Sequence, residues 1–258
     1  MAECRFQAVV LDLFGTLVDW NPQLLPSFDW GGRTLRSTIP LLLPKLRAAI
    51  GDQFDIDNFV DAYHTVLGEI AHQRQREEIE ITCEERFSRT LQRIKLNGGE
   101  LPCGLASELV TTHMAAVRAA TSIPPTHAEL VRGLARRYRL GILSNFDEVK
   151  TGRQIIADTG VLSLFETIII SAEVGLRKPN PRIFTLILDA LDLPAEQVLF
   201  VGDTHYDDVI GARRARIPVA WLARGRAAEF NDHEHPDYIL QELVELPALL
   251  ARLEGSSS

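Results

Sequence analysis

The sequence has few cysteines, no excess of positive charge and no long apolar run, and each absence excludes a class of protein. The cysteines Cys4, Cys83 and Cys103 are widely spaced and match no metal-binding pattern, so we expect free thiols in a reducing cytoplasm. A formal net charge of −8 argues against nucleic acid or an anionic membrane as a main partner. No apolar run approaches the ~20 residues of a membrane span, and the start has no signal-peptide apolar region. We therefore expect a cytoplasmic protein.

What the chain does contain is enough apolar sequence for a complete α/β core. It has 258 residues, of which 46% are hydrophobic. Short apolar runs alternate with helical patterns in the second half, which is typical of a doubly wound, Rossmann-like parallel sheet. Strands are predicted at 6–11, 138–143, 167–171, 198–202 and 217–222, with a short edge strand at 237–240.

Between the first strand and the rest of the sheet lies a long insertion without any strand pattern. We predict a loop at 21–32, and then an all-helical domain whose helices run over 41–50, 57–78, 83–96 and 105–120. Thr82 with Glu85 resembles a capping box, and Asn97-Gly98-Gly99 is expected to stop the third helix. The predicted domains are a core of 1–20 and 122–254 and a helical insertion of 21–121, followed by a flexible tail at 255–258.

The segment around Asp12 is the most informative in the chain. The apolar run that ends at Leu11 reads as a strand buried on both faces, and Asp12 follows it directly. Ligands of open α/β sheets bind at the carboxyl ends of the strands. A carboxylate held there, beside the Gly15-Thr16 turn, can act as a nucleophile.

Two more acids follow a second buried strand, in the run Gly202-Asp203-Thr204-His205-Tyr206-Asp207-Asp208. Asp203 and Asp208 are five residues apart across a strand-to-helix turn. Together with Asp12 they would form a site of hard oxygen ligands suited to Mg²⁺, which favours carboxylates, waters and a substrate phosphate oxygen. The ordinary alternative is that Asp207 or Asp208 merely caps the following helix.

Two further strand ends carry polar groups. Ser144 and Asn145 close the third strand, and a serine hydroxyl there can donate to a phosphate or carboxylate oxygen. Lys178 precedes the helix that we expect to begin at Pro181, and its charge could hold an anionic intermediate beside Asp12. We predict that Ser144 and Lys178 are catalytic, and that Thr16 and Asn145 contact the substrate.

The order Asp12, Ser144, Lys178, Asp203 and Asp208, each at a predicted strand end, resembles the haloacid dehalogenase-like (HAD) hydrolase superfamily with a helical cap. The resemblance is close over 5–20 and 122–225. It implies that Asp12 is the nucleophile, that Ser144 is an oxyanion donor and that Lys178 stabilises the intermediate. It further implies that Mg²⁺ is held by Asp12, Asp203, Asp208 and the backbone carbonyl of Phe14.

Phe14 departs from the phosphatase pattern of this superfamily, which usually has a second aspartate at that position. The aspartate acts as a general acid and base, which is typically worth ~10²–10⁴-fold in rate. The dehalogenase branch has an aromatic residue there, yet this chain keeps both metal-type acids. Three hypotheses stay open: Mg²⁺-dependent hydrolysis of a small phosphate compound, metal-independent dehalogenation of a 2-haloacid, and a module that binds a phosphate ligand or a protein partner without turnover.

The expected partner is a small anionic organic substrate, and a homodimer is compatible with the sequence. The insertion would form a lid over the strand ends and set the choice of substrate. Its candidate contact residues are Arg33, Arg36, His64, His72, Arg74 and Arg76. Trp20 and Trp30 could line an apolar pocket there. His205 could replace the missing acid, although a surface position suits it better.

Overall fold

A computed structural model describes residues 5–51, 54–94, 101–226 and 234–255. Within these ranges the strands are β1 Ala8–Leu11, β2 Asp19–Trp20, β3 Ser27–Trp30, β4 Arg33–Arg36, β5 Thr121–Ser122, β6 Arg139–Ser144, β7 Thr167–Ile170, β8 Val198–Gly202, β9 Val219–Leu222 and β10 Tyr238–Leu240. The α-helices are α1 Ile39–Ile50, α2 Ile56–Glu77, α3 Cys83–Arg93, α4 Leu105–Ala119, α5 Pro125–Leu134, α6 Val149–Asp158, α7 Ser171–Val174, α8 Pro181–Leu191, α9 Gly211–Arg214 and α10 Leu246–Gly255.

One six-stranded parallel sheet forms the centre of the molecule, in the order β10-β9-β8-β1-β6-β7. The first strand of the chain is therefore central, flanked by β8 and β6. Alternate residues of β1 serve the two faces: Val9 and Leu11 pack towards α5, α6 and α10, while Ala8 and Val10 pack towards α8 and α9. The predicted doubly wound α/β core is confirmed.

Helices α1 to α4 lie outside this sheet and have an apolar core of their own. Buried side chains of all four helices meet there, among them Leu42, Phe59, Phe87 and Leu109. Strands β2 and β5 pair antiparallel at the two ends of this segment, where the chain leaves and re-enters the core. We call the segment between β2 and β5 the cap.

The cap differs from the prediction in one respect, because it also contains a β-hairpin. The loop predicted at 21–32 and the absence of strands from the insertion are wrong, since β3 and β4 pair antiparallel. Gly31 and Gly32, both with positive φ, form the two-residue turn. A Gly-Gly pair flanked by alternating side chains is a hairpin signal, but the strands are short and largely exposed, so no apolar run marks them.

The helix boundaries agree closely with the sequence pattern. Thr82 caps α3 as expected, because its side chain accepts a hydrogen bond from the Glu85 amide at 3.2 Å. The third helix ends at Arg93, before the predicted Leu96, and the predicted stop at 97–99 lies outside the described residues. Cys83 is buried and Cys103 exposed, both as free thiols, while Cys4 lies outside the described residues. Among the helices of the described ranges, none has the length and apolarity needed to cross a bilayer.

Candidate active site

The three central strands bring the predicted site residues to one edge of the sheet. Asp12 follows β1, Ser144 ends β6, and Asp203 follows β8, and these strands are direct neighbours. The amide of Asp12 continues the sheet by donating to the carbonyl of Val201 at 2.9 Å. Because parallel strands end at the same edge, the side chains converge although they are far apart in sequence.

Lys178 lies at the centre of this edge. Its Nζ is 2.6 Å from Asp12 Oδ1 and 2.7 Å from Asp208 Oδ1, and it donates to the Leu143 carbonyl at 3.0 Å. Asn145 fixes the lysine's main chain from both sides: its Oδ1 accepts from the Lys178 amide at 2.8 Å and its Nδ2 donates to the Lys178 carbonyl at 3.0 Å. The ammonium group is therefore held between two acids by groups that cannot easily move.

The buried site contains more acids than basic groups, and burial raises the pKa values of two of the acids. Burial raises the pKa of the Asp12 carboxyl to about 7; Lys178 opposes the rise, while Asp208 and Asp203 add to it. Burial and Asp208 also raise the pKa of Asp203. Burial alone would lower the pKa of Lys178, but Asp12 and Asp208 outweigh it and raise that pKa above its ordinary value. Three carboxylates around one ammonium favour the arrival of another cation.

Two glycines let the acids approach so closely. A Cβ at Gly15, whose φ is +80°, would lie 2.8 Å from Asp203 Oδ2. A Cβ at Gly202 would lie 2.3 Å from Asp208 Cγ. The Thr204 amide donates to Asp208 Oδ2 at 2.8 Å, which orients this buried carboxylate. Gly15 and Gly202 are therefore needed because a larger side chain would collide with the acids.

The acids also fit a divalent cation. One carboxylate oxygen each from Asp12, Asp203 and Asp208 lies within 4.8 Å of the other two. Hard oxygen donors of this kind are the ligands that Mg²⁺ prefers. Asp203 is the most accessible of the three, and at the rim Arg226 Nη2 lies 3.4 Å from its Oδ2. These residues would hold the ion.

Two hydroxyl groups at the site have no hydrogen-bond partner among the described residues. They are Ser144 Oγ and Thr16 Oγ1, and both side chains are buried. Leaving a buried donor unpaired costs roughly 1–3 kcal/mol, so such groups in a site are suited to bind a ligand. The catalytic role of Ser144 and the substrate contact of Thr16 stay predictions.

Phe14 stands where phosphatases of the superfamily usually have the second aspartate, and its ring packs against another aromatic ring. The Phe14 ring lies 4.9 Å from that of Phe146, and both line the cleft between core and cap. His205 does not replace the acid here: its Nε2 lies 2.8 Å from the Glu234 carbonyl and its ring meets the edge of Trp221. Phe184 of α8 is wholly buried against Phe200.

A cleft of about 990 Å³ lies between the strand ends and the cap. Of the six cap residues that the sequence offered, Arg36 and His64 line it, whereas Arg33, His72, Arg74 and Arg76 do not. Trp20 also lines it, and Trp30 stacks on the His64 ring at 4.9 Å. Sequence reasoning missed Thr38, Tyr63 and His113, which line the same cleft from the cap. No local motif marks them, since they come from three separate parts of the insertion.

Comparison with known proteins shows similarity to one family of hydrolases. The family profile of the haloacid dehalogenase-like hydrolases matches residues 6–216. A glyceraldehyde 3-phosphate phosphatase of Pyrococcus furiosus is 28% identical over 172 residues, which are 66% of this chain and 70% of that protein. A phosphoserine phosphatase of Thermus thermophilus is 32% identical over 123 residues, and the match spans about half of each protein, 48% of this chain and 49% of the relative.

Solved structures support the fold. A 2-haloacid dehalogenase from Pseudomonas syringae superposes with a TM-score of 0.69 at 21% identity, covering 96% of this chain and 99% of that one. A HAD phosphatase from Thermococcus onnurineus gives a TM-score of 0.61 at 22% identity, with coverages of 95% and 98%. With the family profile matched over most of its length, the chain belongs to the haloacid dehalogenase-like hydrolases.

Proposed function

We propose that the protein is a Mg²⁺-dependent hydrolase of a small phosphate compound, with Asp12 as the nucleophile. The observation that carries this proposal is the charge of the site, where three carboxylates lie together and a single buried ammonium group contacts two of them. A dehalogenating site would need no cation for its own chemistry. Asp208 could still balance Lys178 there, but that reaction gives Asp203 no role. A phosphatase site uses a cation to balance both the acids and the substrate phosphate.

In the first step the Asp12 carboxylate attacks the phosphorus in line, and the bond from phosphorus to the ester oxygen breaks. The product of this step is an aspartyl-phosphate, and the leaving oxygen carries the electron pair away. Lys178 and the Ser144 hydroxyl stabilise the charge that develops on the phosphoryl oxygens. Bound Mg²⁺ would supply further stabilisation of that charge. Water then attacks the same phosphorus, which frees Asp12 and inorganic phosphate.

Phe14 sets the range of substrates in this mechanism. With no carboxylic acid at this place, the leaving oxygen departs without a proton from the enzyme. We therefore expect a preference for acyl and aryl phosphates, whose leaving groups are stable as anions. The relatives named as phosphatases of glyceraldehyde 3-phosphate and phosphoserine support the reaction class.

Phosphate release from acetyl phosphate and p-nitrophenyl phosphate, each with Mg²⁺ and with EDTA, tests the proposal. We expect release with both substrates, and its loss when EDTA removes the metal. If neither substrate is hydrolysed with Mg²⁺ present, the proposal fails.

Phe14 is also the observation that favours a second candidate, a 2-haloacid dehalogenase. Asp12 would displace halide from carbon, and water would hydrolyse the resulting ester at the Asp12 carbonyl. Chloride release from L-2-chloropropionate that persists in EDTA would support this candidate over the first. Membership of a hydrolase family favours both enzymatic hypotheses over the non-catalytic one.

The division into a core of 1–20 and 122–254 and a cap of 21–121 forms part of the proposal, and the β2–β5 pair at the junction supports it. The role of the Phe14 carbonyl as a metal ligand, the substrate contacts of Thr16 and Asn145, the cytoplasmic location and a homodimer stay predictions. The tail predicted at 255–258 begins one residue too early, because Gly255 ends α10, and 256–258 lie outside the described residues.

A further inference from the structure

The cap side of the cleft has both apolar and polar side chains, and several of the polar ones carry hydroxyl groups. Leu35, Ile39, Leu67 and Val117 line it, together with the polar residues Arg36, Ser37, Tyr63, His64 and His113. Among them lies Thr38, which is 4% exposed. Thr38 stands directly before α1, yet its side chain makes no capping bond to that helix. Its hydroxyl is therefore engaged elsewhere.

A chain of buried polar contacts leads from the core to this hydroxyl. Asp147 Oδ2, which follows β6, accepts from Arg86 Nη1 of the cap at 2.9 Å. Arg86 Nη2 lies 3.1 Å from His113 Nε2. His113 Nδ1 lies 2.7 Å from Thr38 Oγ1. Four residues from four separate segments thus connect the core to one wall of the cleft.

The chemistry of the arginine fixes the direction of this chain. A guanidinium group can only donate, so His113 Nε2 must accept from Arg86. Burial and the charge of Arg86 lower the pKa of His113 to about 3, which keeps the ring neutral. A neutral imidazole has one N–H, which must then be on Nδ1. His113 consequently donates to Thr38.

The O–H of Thr38 has no acceptor among the described residues. The Thr38 oxygen already accepts from His113. A buried donor without a partner is costly, and a ligand in the cleft is the group that can supply the acceptor. The contacts from Asp147 through Arg86 and His113 thus leave the Thr38 hydroxyl free to donate to a ligand in the cleft.

We propose that Thr38 is a specificity residue that donates a hydrogen bond to an acceptor oxygen on the organic part of the substrate. The aromatic side chains Trp20, Tyr63 and Phe146 that line the cleft suit an aryl group, so the substrate class is an aryl phosphate with a carbonyl or similar acceptor on its ring. This inference rests on the proposed function. It goes further by naming what the cap recognises, apart from the phosphate that the core would bind.

Thr38→Val, which removes the hydroxyl at nearly constant shape, tests the contact against Thr38→Ser, which keeps it. The substrates are phenyl phosphate, without a ring acceptor, and the three isomers of acetylphenyl phosphate. We expect Thr38→Val to lower kcat/KM about five- to tenfold for at least one isomer, the effect of one hydrogen bond. Phenyl phosphate should change less than about twofold, and Thr38→Ser should behave as the wild type. Comparing each variant with the wild type on one substrate cancels differences between leaving groups.

Thr112→Val provides the matched control, because this half-buried threonine of α4 donates to the carbonyl of Glu108 within its own helix and does not line the cleft. It should leave all four rates unchanged. An equal loss on all four substrates with Thr38→Val, or no loss on any, would overturn the proposal.

Binding separates a failure of this proposal from a failure of the proposed function. Calorimetry with phenol and the three hydroxyacetophenones needs no turnover. We expect one isomer to bind the wild type and Thr38→Ser five- to tenfold more tightly than Thr38→Val. If the wild type hydrolyses no phosphate but shows this difference, the contact stands and the reaction is wrong. Equal or absent binding of every isomer refutes the contact.

The tautomer of His113 can be observed directly. Long-range ¹H–¹⁵N spectra should show a neutral ring with hydrogen on Nδ1 at pH 6 to 8. A hydrogen on Nε2, or a charged ring, would remove the directional argument on which the Thr38 donor depends.

Discussion

Two clusters of buried charge lie near each other in this protein, and they differ in balance. The site cluster consists of the acids Asp12, Asp203 and Asp208 around Lys178. The interface cluster, between core and cap, consists of Glu80, Asp147, Asp207, Arg74, Arg86 and Arg177. The first has three acids and one buried cation, with Arg226 at its exposed rim, whereas the second has three acids and three arginines.

The two clusters are connected, since Arg177 of the interface cluster directly precedes Lys178 of the site cluster. Glu80 is the centre of the interface cluster: it accepts from Ser171 Oγ at 2.6 Å and lies 2.5 Å from Arg74 and 3.7 Å from Arg177. Backbone bonds join the same segments, as the Glu80 amide donates to the Gly175 carbonyl at 3.0 Å. The balanced cluster fastens the cap to the core.

The difference between the clusters teaches how to separate structural from functional charge. A buried group of acids and arginines that neutralise one another can stabilise a contact without any ligand. A buried group with a deficit of positive charge is tolerated only where something else supplies that charge. The imbalance, rather than the burial, marks the site.

The largest effect should come from removing the nucleophile within the unbalanced cluster. Asp12→Asn is expected to lower phosphate release by roughly 10⁴-fold or more, as loss of a nucleophile does in other hydrolases. Because it relieves repulsion from Asp208 and Asp203, the melting temperature should not fall. Steady-state kinetics and thermal unfolding of the same sample measure both. Retained turnover would exclude Asp12 as the nucleophile.

The balanced cluster should respond in the opposite way. Glu80→Gln removes the acid that Arg74 and Arg177 share and leaves them only Asp147 at 3.4 Å and Asp207 at 3.7 Å. Breaking a buried ion pair from one side costs about 3–5 kcal/mol of unfolding free energy. Urea unfolding measures this loss. Glu77→Gln, at an exposed glutamate of the same region, should cost much less, because water screens its contacts. Equal, small losses in the two variants would show that the interface cluster adds no stability.

Metal addition should distinguish the clusters most simply. Mg²⁺ at about 100 times its Kd should stabilise the wild type by about 2.7 kcal/mol, because it binds only the folded state. Thermal unfolding should show the same gain for Glu80→Gln and none for Asp203→Asn. A gain that survives in Asp203→Asn would place the metal elsewhere.

A smaller effect should come from His113, which lies between the interface cluster and the cleft. Burial and Arg86 lower its pKa from 6.5 to about 3 in the folded protein. Between pH 6.5 and pH 3 His113 is protonated in the unfolded chain but not in the folded protein. The free energy of unfolding therefore falls as the pH drops from 6.5 towards 3. At pH 5 the loss from this group is about 2 kcal/mol.

Urea unfolding of the wild type and His113→Gln at pH 7 and pH 5 measures this linkage. The wild type should lose about 2 kcal/mol more than the variant between the two pH values. Equal acid losses in the two proteins would show that His113 does not remain neutral in the fold.

The core could be predicted from the sequence because its signals are local. Asp12, Ser144 and Asp203 stand at the ends of apolar runs that read as buried strands. Because parallel strands end at one edge of a sheet, these three residues meet. The cap could not be predicted to the same depth. Thr38, Arg86 and His113 acquire their roles only through packing between segments. The hairpin β3–β4 could not be predicted because its strands are short and largely exposed, so no apolar run marks them.

The most direct test of the central claim is to search for phosphate on Asp12 itself. Acid-quenched protein, taken during turnover of acetyl phosphate, would be digested and examined by mass spectrometry. We predict one phosphoryl group on the peptide that contains Asp12, formed with Mg²⁺ and missing in EDTA and in Asp12→Asn. An unmodified Asp12 peptide, together with an ester on Asp12 formed from L-2-chloropropionate in EDTA, would contradict the account.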